Sequence, residues 1–125
     1  MRSSLCTLTL AVIAAGTTVQ AATPDCDRVC LRGFITQYLD ALVTHNPSTL
    51  PLSDKVRFTE DTVEMKLGDG LWKNASKTRS YRQDILDVHQ GVAASQVVVE
   101  AGSSPALLVL RLKVAGKKEV RLPRV

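Results

Sequence analysis

The sequence predicts an α+β fold built from one N-terminal helix and an antiparallel sheet. Apolar residues recur at helical spacing between Arg28 and Thr44, which indicates an amphipathic helix. Further along, the valine- and leucine-rich runs 92–100 and 106–114 read as long strands around a Gly-Ser-Ser-Pro turn, the pattern of a hairpin. Two shorter alternating runs lie between the helix and this hairpin.

The first 21 residues have the composition of a cleavable secretory signal peptide. Arg2 supplies a positive charge, residues 5–15 are almost wholly apolar, and small residues favour cleavage after Ala21. The apolar run is shorter than the ~20 residues of a membrane-spanning helix. We therefore expect a secreted or secretory-pathway protein with one domain over residues 22–125 that is not embedded in a membrane.

The charge pattern argues against nucleic-acid binding. The chain has 16 Lys and Arg residues against 12 Asp and Glu residues, spread along its length without a basic block. Its aromatic residues are not interleaved with basic ones, as a base-stacking surface would require.

Two cysteines, Cys26 and Cys30, remain after removal of the predicted signal peptide, which contains Cys6. In an oxidising compartment we expect them to form a local disulfide. Residues four apart on a helix have Cα atoms about 6 Å apart, near the upper end of the disulfide range. The alternative is a pair of buried free thiols. No metal site is expected, because His45 and His89 do not lie at ligand spacing from the cysteines.

The helix is predicted from about Asp25 to His45. Thr23 could cap its start with Pro24 in the first turn, and Asn46-Pro47 ends it, because a residue before proline avoids helical angles. Its apolar face consists of Leu31, Phe34, Ile35, Tyr38, Leu39 and Leu42.

The middle of the chain predicts two short strands, 55–60 and 63–67, joined tightly near Asp61. The segment 71–80 is predicted to be irregular, and a short helix is predicted around 80–86. Near the end of that helix Asp84 and Asp87 would share a face and form, with His89, an acid and imidazole grouping. The alternative is a set of exposed polar residues at a helix end.

Four segments carry a resemblance to a known family: YLDALVTHNPSTLPLSDKVRFTED, LGDGLWKNAS, YRQDILDVHQG and LLVLRLKVAGKK. Together they resemble the secreted SnoaL-like proteins of fungi, which share the NTF2-like fold. The resemblance implies a cone in which a long N-terminal helix packs on a curved antiparallel sheet around an apolar cavity. It also implies a small, largely apolar metabolite as partner and leaves a homodimer through the sheet open.

The function that the resemblance implies is cofactor-independent acid–base chemistry, such as isomerisation, cyclisation or dehydration in secondary metabolism. The alternatives are a non-catalytic small-molecule-binding protein and a secreted protein-interaction module, because a fold alone does not specify function. The chain has no nucleophile or metalloprotease motif, so covalent catalysis and metal-dependent hydrolysis lack support.

Glu60 and Tyr38 are the candidate catalytic residues. By strand alternation Glu60 points to the same side as Val56 and Phe58, toward the expected cavity, where it could handle a proton. The alternative is that Glu60 caps the turn. Tyr38 lies on the buried face of the helix, where its hydroxyl could orient a substrate oxygen or simply belong to the core.

The candidate substrate-binding residues are Phe34, Phe58, Trp72 and Arg111. Trp72 could form a flat apolar wall of the cavity or could anchor its own loop. Arg111 lies off the apolar face of its strand, so it could hold an anionic group or remain a surface arginine.

Two further features concern modification and the C-terminus. Asn74-Ala75-Ser76 is an acceptor for N-glycosylation, whereas Pro47 blocks the sequon at Asn46. Relatives tend to show Glu-Asn-Gly where this chain has Glu60-Asp61-Thr62, and they continue after Lys118 into a long closing strand. Here Pro123 cannot donate to a strand ladder, so a truncated product with an uncovered sheet edge is an open alternative.

Overall fold

Helix α1, Arg28–Val43, is the first element of the computed structural model, which describes residues 26–115 and 119–121. At 16 residues the helix is shorter at both ends than the predicted Asp25–His45. Asp27 caps its start: the Asp27 carboxylate accepts a hydrogen bond from the backbone N–H of Cys30 at 2.9 Å. Cys26 and Cys30 are joined in a disulfide across this first turn, with their Cα atoms 5.3 Å apart.

The predicted signal peptide, residues 1–21, lies outside the described residues, as do Thr23 and Pro24. Within the part of the chain that the structure describes, no helix is long and apolar enough to cross a membrane.

Helix α1 ends in a Schellman motif with His45 in the left-handed conformation, φ 52°. The N–H of Asn46 donates to the carbonyl of Ala41 at 2.9 Å, and the N–H of His45 donates to the carbonyl of Leu42 at 3.2 Å. The His45 ring also donates from Nδ1 to the carbonyl of Trp72. This bond connects the end of α1 to the segment that carries Trp72.

The described strands form two antiparallel sheets. A two-stranded sheet pairs β1 with β2, and a four-stranded sheet has the order β3-β4-β5-β6. The strands are β1 (Phe58–Glu60), β2 (Val63–Met65), β3 (Ala75–Asp87), β4 (Val92–Ala101), β5 (Ser104–Ala115) and β6 (Glu119–Arg121). The fold is therefore α+β, with one helix packed on a curved antiparallel sheet.

The β4–β5 hairpin confirms the prediction for the C-terminal third of the chain. Alternate residues of β4 are buried against α1, and Val97 pairs with Leu108 of β5 in the centre of the hairpin. The inward face of β5 is apolar, as its sequence predicted. The core includes this face, the buried residues of β4, the apolar face of α1, Phe58 and Trp72.

Strand β3 overturns two predictions. Its 13 residues cover most of the segment predicted to be irregular and all of the helix predicted around 80–86. β3 is an edge strand whose residues are mostly exposed, so its sequence lacks apolar alternation. A register shift between Thr78 and Arg82 further breaks the two-residue period. Asp84 and Asp87 consequently lie on a strand and share no helix face.

Candidate functional site

A cavity of about 510 Å³ lies between α1, the β1–β2 hairpin, the 3₁₀ helix Gly70–Lys73 and β5. Its volume is in the range of small-molecule sites, about 300–1,000 Å³. The lining residues are Tyr38 and Leu42 of α1, residues 58–62 of the hairpin, Leu71 and Trp72 of the 3₁₀ helix, and residues 106–111 of β5.

Tyr38 and Trp72 form the most deeply buried polar contact of the cavity. The indole Nε1–H of Trp72 donates a hydrogen bond to the Tyr38 hydroxyl oxygen at 3.0 Å. The two rings meet edge to face, with centroids 5.3 Å apart. Because the Tyr38 oxygen accepts this bond, its own O–H can donate to a molecule in the cavity.

The Tyr38 hydroxyl stays protonated at neutral pH. Burial raises the pKa of Tyr38 to about 12; the hydrogen bond from Trp72 opposes this rise, and the negative charge of Glu60 adds to it. Tyr38 can therefore act as a neutral hydrogen-bond donor, and it is a poor source of a transferable proton.

Glu60, at the end of β1, places its half-buried carboxylate at the cavity wall. Both carboxylate oxygens accept from the backbone N–H of Leu71, at 3.1 Å for Oε1 and 3.0 Å for Oε2. The carboxylate thus caps the first turn of the 3₁₀ helix. The alternative stated above, in which Glu60 caps a turn, had pointed to the hairpin turn that follows Glu60. The same group also lines the cavity.

Gly70 makes the close approach of Glu60 possible. Gly70 has φ +63°, and a Cβ added there would lie 2.7 Å from Glu60 Cδ and 2.8 Å from Oε1. Any side chain at this position would therefore displace the carboxylate from the Leu71 N–H.

The turn between β1 and β2 is strained. Glu60 pairs with Val63, so Asp61 and Thr62 form a two-residue turn, and both have positive φ, 48° and 69°. Such turns favour Asn-Gly, and a β-branched residue in this conformation is an outlier. Both turn residues line the cavity, so the strain lies at the candidate site.

The remaining predicted binding residues divide into two groups. Phe58 is buried and Arg111 is exposed, and both line the cavity. Phe34 instead lies in the core on α1 and is not one of the lining residues.

Asn74, the predicted glycosylation acceptor, is exposed at the junction between the 3₁₀ helix and β3. Its backbone carbonyl accepts a hydrogen bond from the N–H of Gly102 at 2.9 Å.

Asp84 belongs to an ion-pair network that sequence reasoning missed. Arg82 Nε and Nη2 each donate to the Asp84 carboxylate at 2.9 Å, Ser95 Oγ donates to it at 2.8 Å, and Arg32 Nε lies 3.6 Å from it. Burial raises the pKa of Asp84, but the hydrogen bonds from Arg82 and Ser95 and the positive charges of Arg82 and Arg32 outweigh it, so the net pKa is lowered. Asp84 therefore pairs with Arg82 and not with His89.

Asp87 has a different local role, because its Oδ1 accepts a hydrogen bond from the backbone N–H of Gln90 at 2.9 Å in the turn before β4. Within residues 26–115 and 119–121, no group of three or more His, Cys, Asp or Glu side chains could hold a metal ion.

Comparisons with models of protein families, with curated proteins and with solved structures found no significant match to this chain.

Proposed function

We propose that the chain has a SnoaL-like, NTF2-like fold and acts on a small, largely apolar metabolite by cofactor-independent acid–base chemistry of the isomerase, cyclase or dehydratase type. One observation carries the proposal: a neutral phenol, Tyr38, and a carboxylate, Glu60, line the same cavity together with apolar side chains such as Leu110. The packing of one helix on a curved sheet beside this cavity supports the fold assignment.

The two groups have complementary roles in this proposal. The Tyr38 O–H donates to a carbonyl oxygen of the metabolite and stabilises the negative charge that develops there. The Glu60 carboxylate removes a proton from a carbon atom next to that carbonyl and returns it at a second position. Apolar side chains, among them Phe58 and Leu110, surround the hydrocarbon part of the molecule.

Binding without turnover is the second candidate function. The observation that favours it is the hydrogen bond from Leu71 to Glu60, because a carboxylate that already caps a turn has a structural reason to be present. In this case Tyr38 and the apolar lining would hold the ligand, and Glu60 would only maintain the shape of the cavity wall.

Trp72 provides a direct test of ligand binding, because it is the single tryptophan of the chain and lines the cavity. We expect the small apolar ketone 2-decalone to change Trp72 fluorescence in a saturable manner. Tyr38→Phe should weaken this binding about tenfold, since it removes one hydrogen bond to the ketone oxygen. Tyr81→Phe, at an exposed residue outside the cavity, is the matched control and should leave binding unchanged. A linear, non-saturable response in the wild type would contradict the proposal.

A further inference from the structure

The 3₁₀ helix Gly70–Lys73 contacts both candidate groups of the cavity through consecutive residues. The backbone N–H of Leu71 donates to the two carboxylate oxygens of Glu60, at 3.1 Å and 3.0 Å. The indole Nε1–H of the next residue, Trp72, donates to the hydroxyl oxygen of Tyr38 at 3.0 Å. Glu60 ends β1 and Tyr38 lies on α1, so one short helix joins two groups that come from different elements.

The bond between Trp72 and Tyr38 has a fixed polarity. An indole N–H is a donor and cannot accept a hydrogen bond, so the Tyr38 oxygen has to be the acceptor. The hydroxyl hydrogen of Tyr38 then points away from the indole and can be donated to a molecule in the cavity, which Tyr38 lines. Without this donor the hydroxyl could rotate and donate elsewhere. The bond therefore selects the orientation in which Tyr38 can serve a ligand.

The same bond makes the Tyr38 hydroxyl a stronger donor. Hydrogen bonds in a chain polarise one another, so an N–H that donates to a phenol oxygen strengthens the O–H of that phenol toward its next partner. The pKa of Tyr38 shows this effect, because burial raises it to about 12 and the bond from Trp72 acts against the rise. Trp72 is 1% and Tyr38 4% exposed, so water competes little for the bond.

The indole is held in place by contacts with α1. Its ring meets the Tyr38 ring edge to face, with centroids 5.3 Å apart, and the backbone carbonyl of Trp72 accepts a hydrogen bond from the ring of His45 at the end of α1. The backbone N–H of Asn74 donates to the carbonyl of Leu71 at 3.0 Å and closes the 3₁₀ helix. The donor at Nε1 therefore has a defined position relative to α1.

We infer that Trp72 is a positioning residue of the site: its Nε1–H directs the Tyr38 hydroxyl toward the ligand and strengthens it as a donor to a ligand oxygen. Trp72 acts through Tyr38 and needs no contact of its own with the reacting atoms. The consequence for the reaction rate rests on the proposed function, whereas the effect on Tyr38 can be measured without a ligand.

The single tryptophan of the chain allows a site-specific replacement. Growth of a tryptophan auxotroph on β-(3-benzothienyl)alanine exchanges only Trp72 and places sulfur where the indole has its N–H, while the shape of the side chain is kept. Replacement by 4-fluorotryptophan, which keeps the N–H, is the matched control. Both replacements are made in the full chain.

The first measurement is the ionisation of residue 38 in the protein without ligand. 3-Fluorotyrosine, which ionises at a lower pH than tyrosine, is incorporated into the Tyr81→Phe variant, where Tyr38 is the one remaining tyrosine, and its ionisation is followed by ¹⁹F NMR. Benzothienylalanine should lower the ionisation constant about tenfold, because the phenolate loses a hydrogen bond. The 4-fluorotryptophan protein should keep the constant of the tryptophan protein. An unchanged constant with benzothienylalanine would overturn the inference.

The second measurement is deuterium exchange at the carbon atoms next to the carbonyl of 2-decalone. Benzothienylalanine should lower the rate at saturating ketone roughly three- to tenfold. The ketone concentration at half-saturation should rise by a smaller factor, because the bond matters most when negative charge develops on the ketone oxygen. In Tyr38→Phe the replacement should have no further effect, since Trp72 acts through Tyr38. An equal loss in both backgrounds would overturn the inference, because it would show a merely structural role.

Arg111 also lines the cavity, and its guanidinium offers the ketone oxygen an alternative donor. A full exchange rate with benzothienylalanine, combined with a loss of rate in Arg111→Gln, would overturn the inference and assign the ketone oxygen to Arg111. A wild type that does not accelerate exchange, together with the expected change at residue 38, would contradict the proposed function and leave the role of Trp72 toward Tyr38 intact. The two proposals can therefore fail separately.

Discussion

Replacing Gly70 with alanine should destabilise the fold through two separable effects. The first is the left-handed backbone, φ +63°, which costs a residue with a Cβ roughly 1 kcal/mol. The second is displacement of the Glu60 carboxylate, because the new Cβ would lie 2.7 Å from Glu60 Cδ. A hydrogen bond to a charged group contributes about 1.5–3 kcal/mol, so loss of the Leu71 bond should raise the total cost to roughly 3 kcal/mol.

A double-mutant cycle separates these effects, with free energies of unfolding taken from guanidinium denaturation of the wild type, Gly70→Ala, Glu60→Ala and the double variant. In the Glu60→Ala background, Gly70→Ala should lower the free energy of unfolding by only about 1 kcal/mol. The coupling energy between the two positions should therefore be about 2 kcal/mol. Gly102→Ala is the matched control: Gly102 has φ +64° but nothing within 4 Å of an added Cβ, so its cost should be independent of Glu60. Additive costs for Gly70 and Glu60 would refute the reasoning.

Four further predictions concern strain, hydrogen bonding and charge. Thr62→Gly should stabilise the fold by roughly 1 kcal/mol in thermal denaturation, because glycine adopts φ 69° without strain. Tyr38→Phe should cost about 1–3 kcal/mol, since the buried Nε1–H of Trp72 loses its acceptor. The pKa of Tyr38 is about 12 in the folded state, against 10.0 for an ordinary tyrosine, so Tyr38 favours folding below pH 10. This contribution to the free energy of unfolding, roughly 3 kcal/mol, should disappear between pH 10 and 12 in the wild type. Tyr38→Phe should not show this loss of stability. The lowered pKa of Asp84 has the opposite effect on the pH dependence of stability. The ionised Asp84 stabilises the fold above the pKa that it has in the unfolded chain, and this stabilisation is lost in acid. The free energy of unfolding of Asp84→Asn should therefore decrease less below pH 4 than that of the wild type.

Helix α1 and the β4–β5 hairpin could be predicted from the sequence because their buried faces have a simple period. Leu31, Ile35 and Leu42 are almost wholly buried on one face of α1, at helical spacing. In β4 the burial alternates residue by residue, as its valine-rich sequence indicated. The ends of α1 were less predictable, because Asp27 competes with Thr23 as a cap and His45 adopts a conformation that usually favours glycine.

Strand β3 and the ion-pair network around Asp84 could not be predicted, because no local sequence pattern indicates either of them. An edge strand with most residues exposed has no apolar alternation, so the polar stretch around Arg82 carries no strand signal. Arg82 and Ser95 meet at Asp84 only because β3 pairs with β4, a contact between residues distant in the sequence. The network therefore depends on the pairing of β3 with β4.

The candidate site was predictable in part. Strand alternation predicted that Glu60 lies on the side of Phe58, and both residues line the cavity, as does Thr59 between them. The helical period placed Tyr38 on the buried face of α1. The contact between Tyr38 and Trp72 depends on tertiary packing across 34 positions of sequence, and no local pattern encodes it. The dependence of Glu60 on Gly70 was equally hidden, although the Gly-Asp-Gly run signalled an unusual backbone there.

The most direct test of the central claim, that Glu60 and Tyr38 act together on a molecule in the cavity, is the rate of deuterium exchange at carbon atoms next to the carbonyl of 2-decalone, measured by NMR. We expect the wild type to accelerate exchange, and Glu60→Gln to lose roughly 10²- to 10⁴-fold in rate while it still changes Trp72 fluorescence on binding. Glu64→Gln, at an exposed carboxylate paired with Arg57, should keep the full rate. Undiminished exchange in Glu60→Gln, or saturable binding without any acceleration by the wild type, would contradict the account.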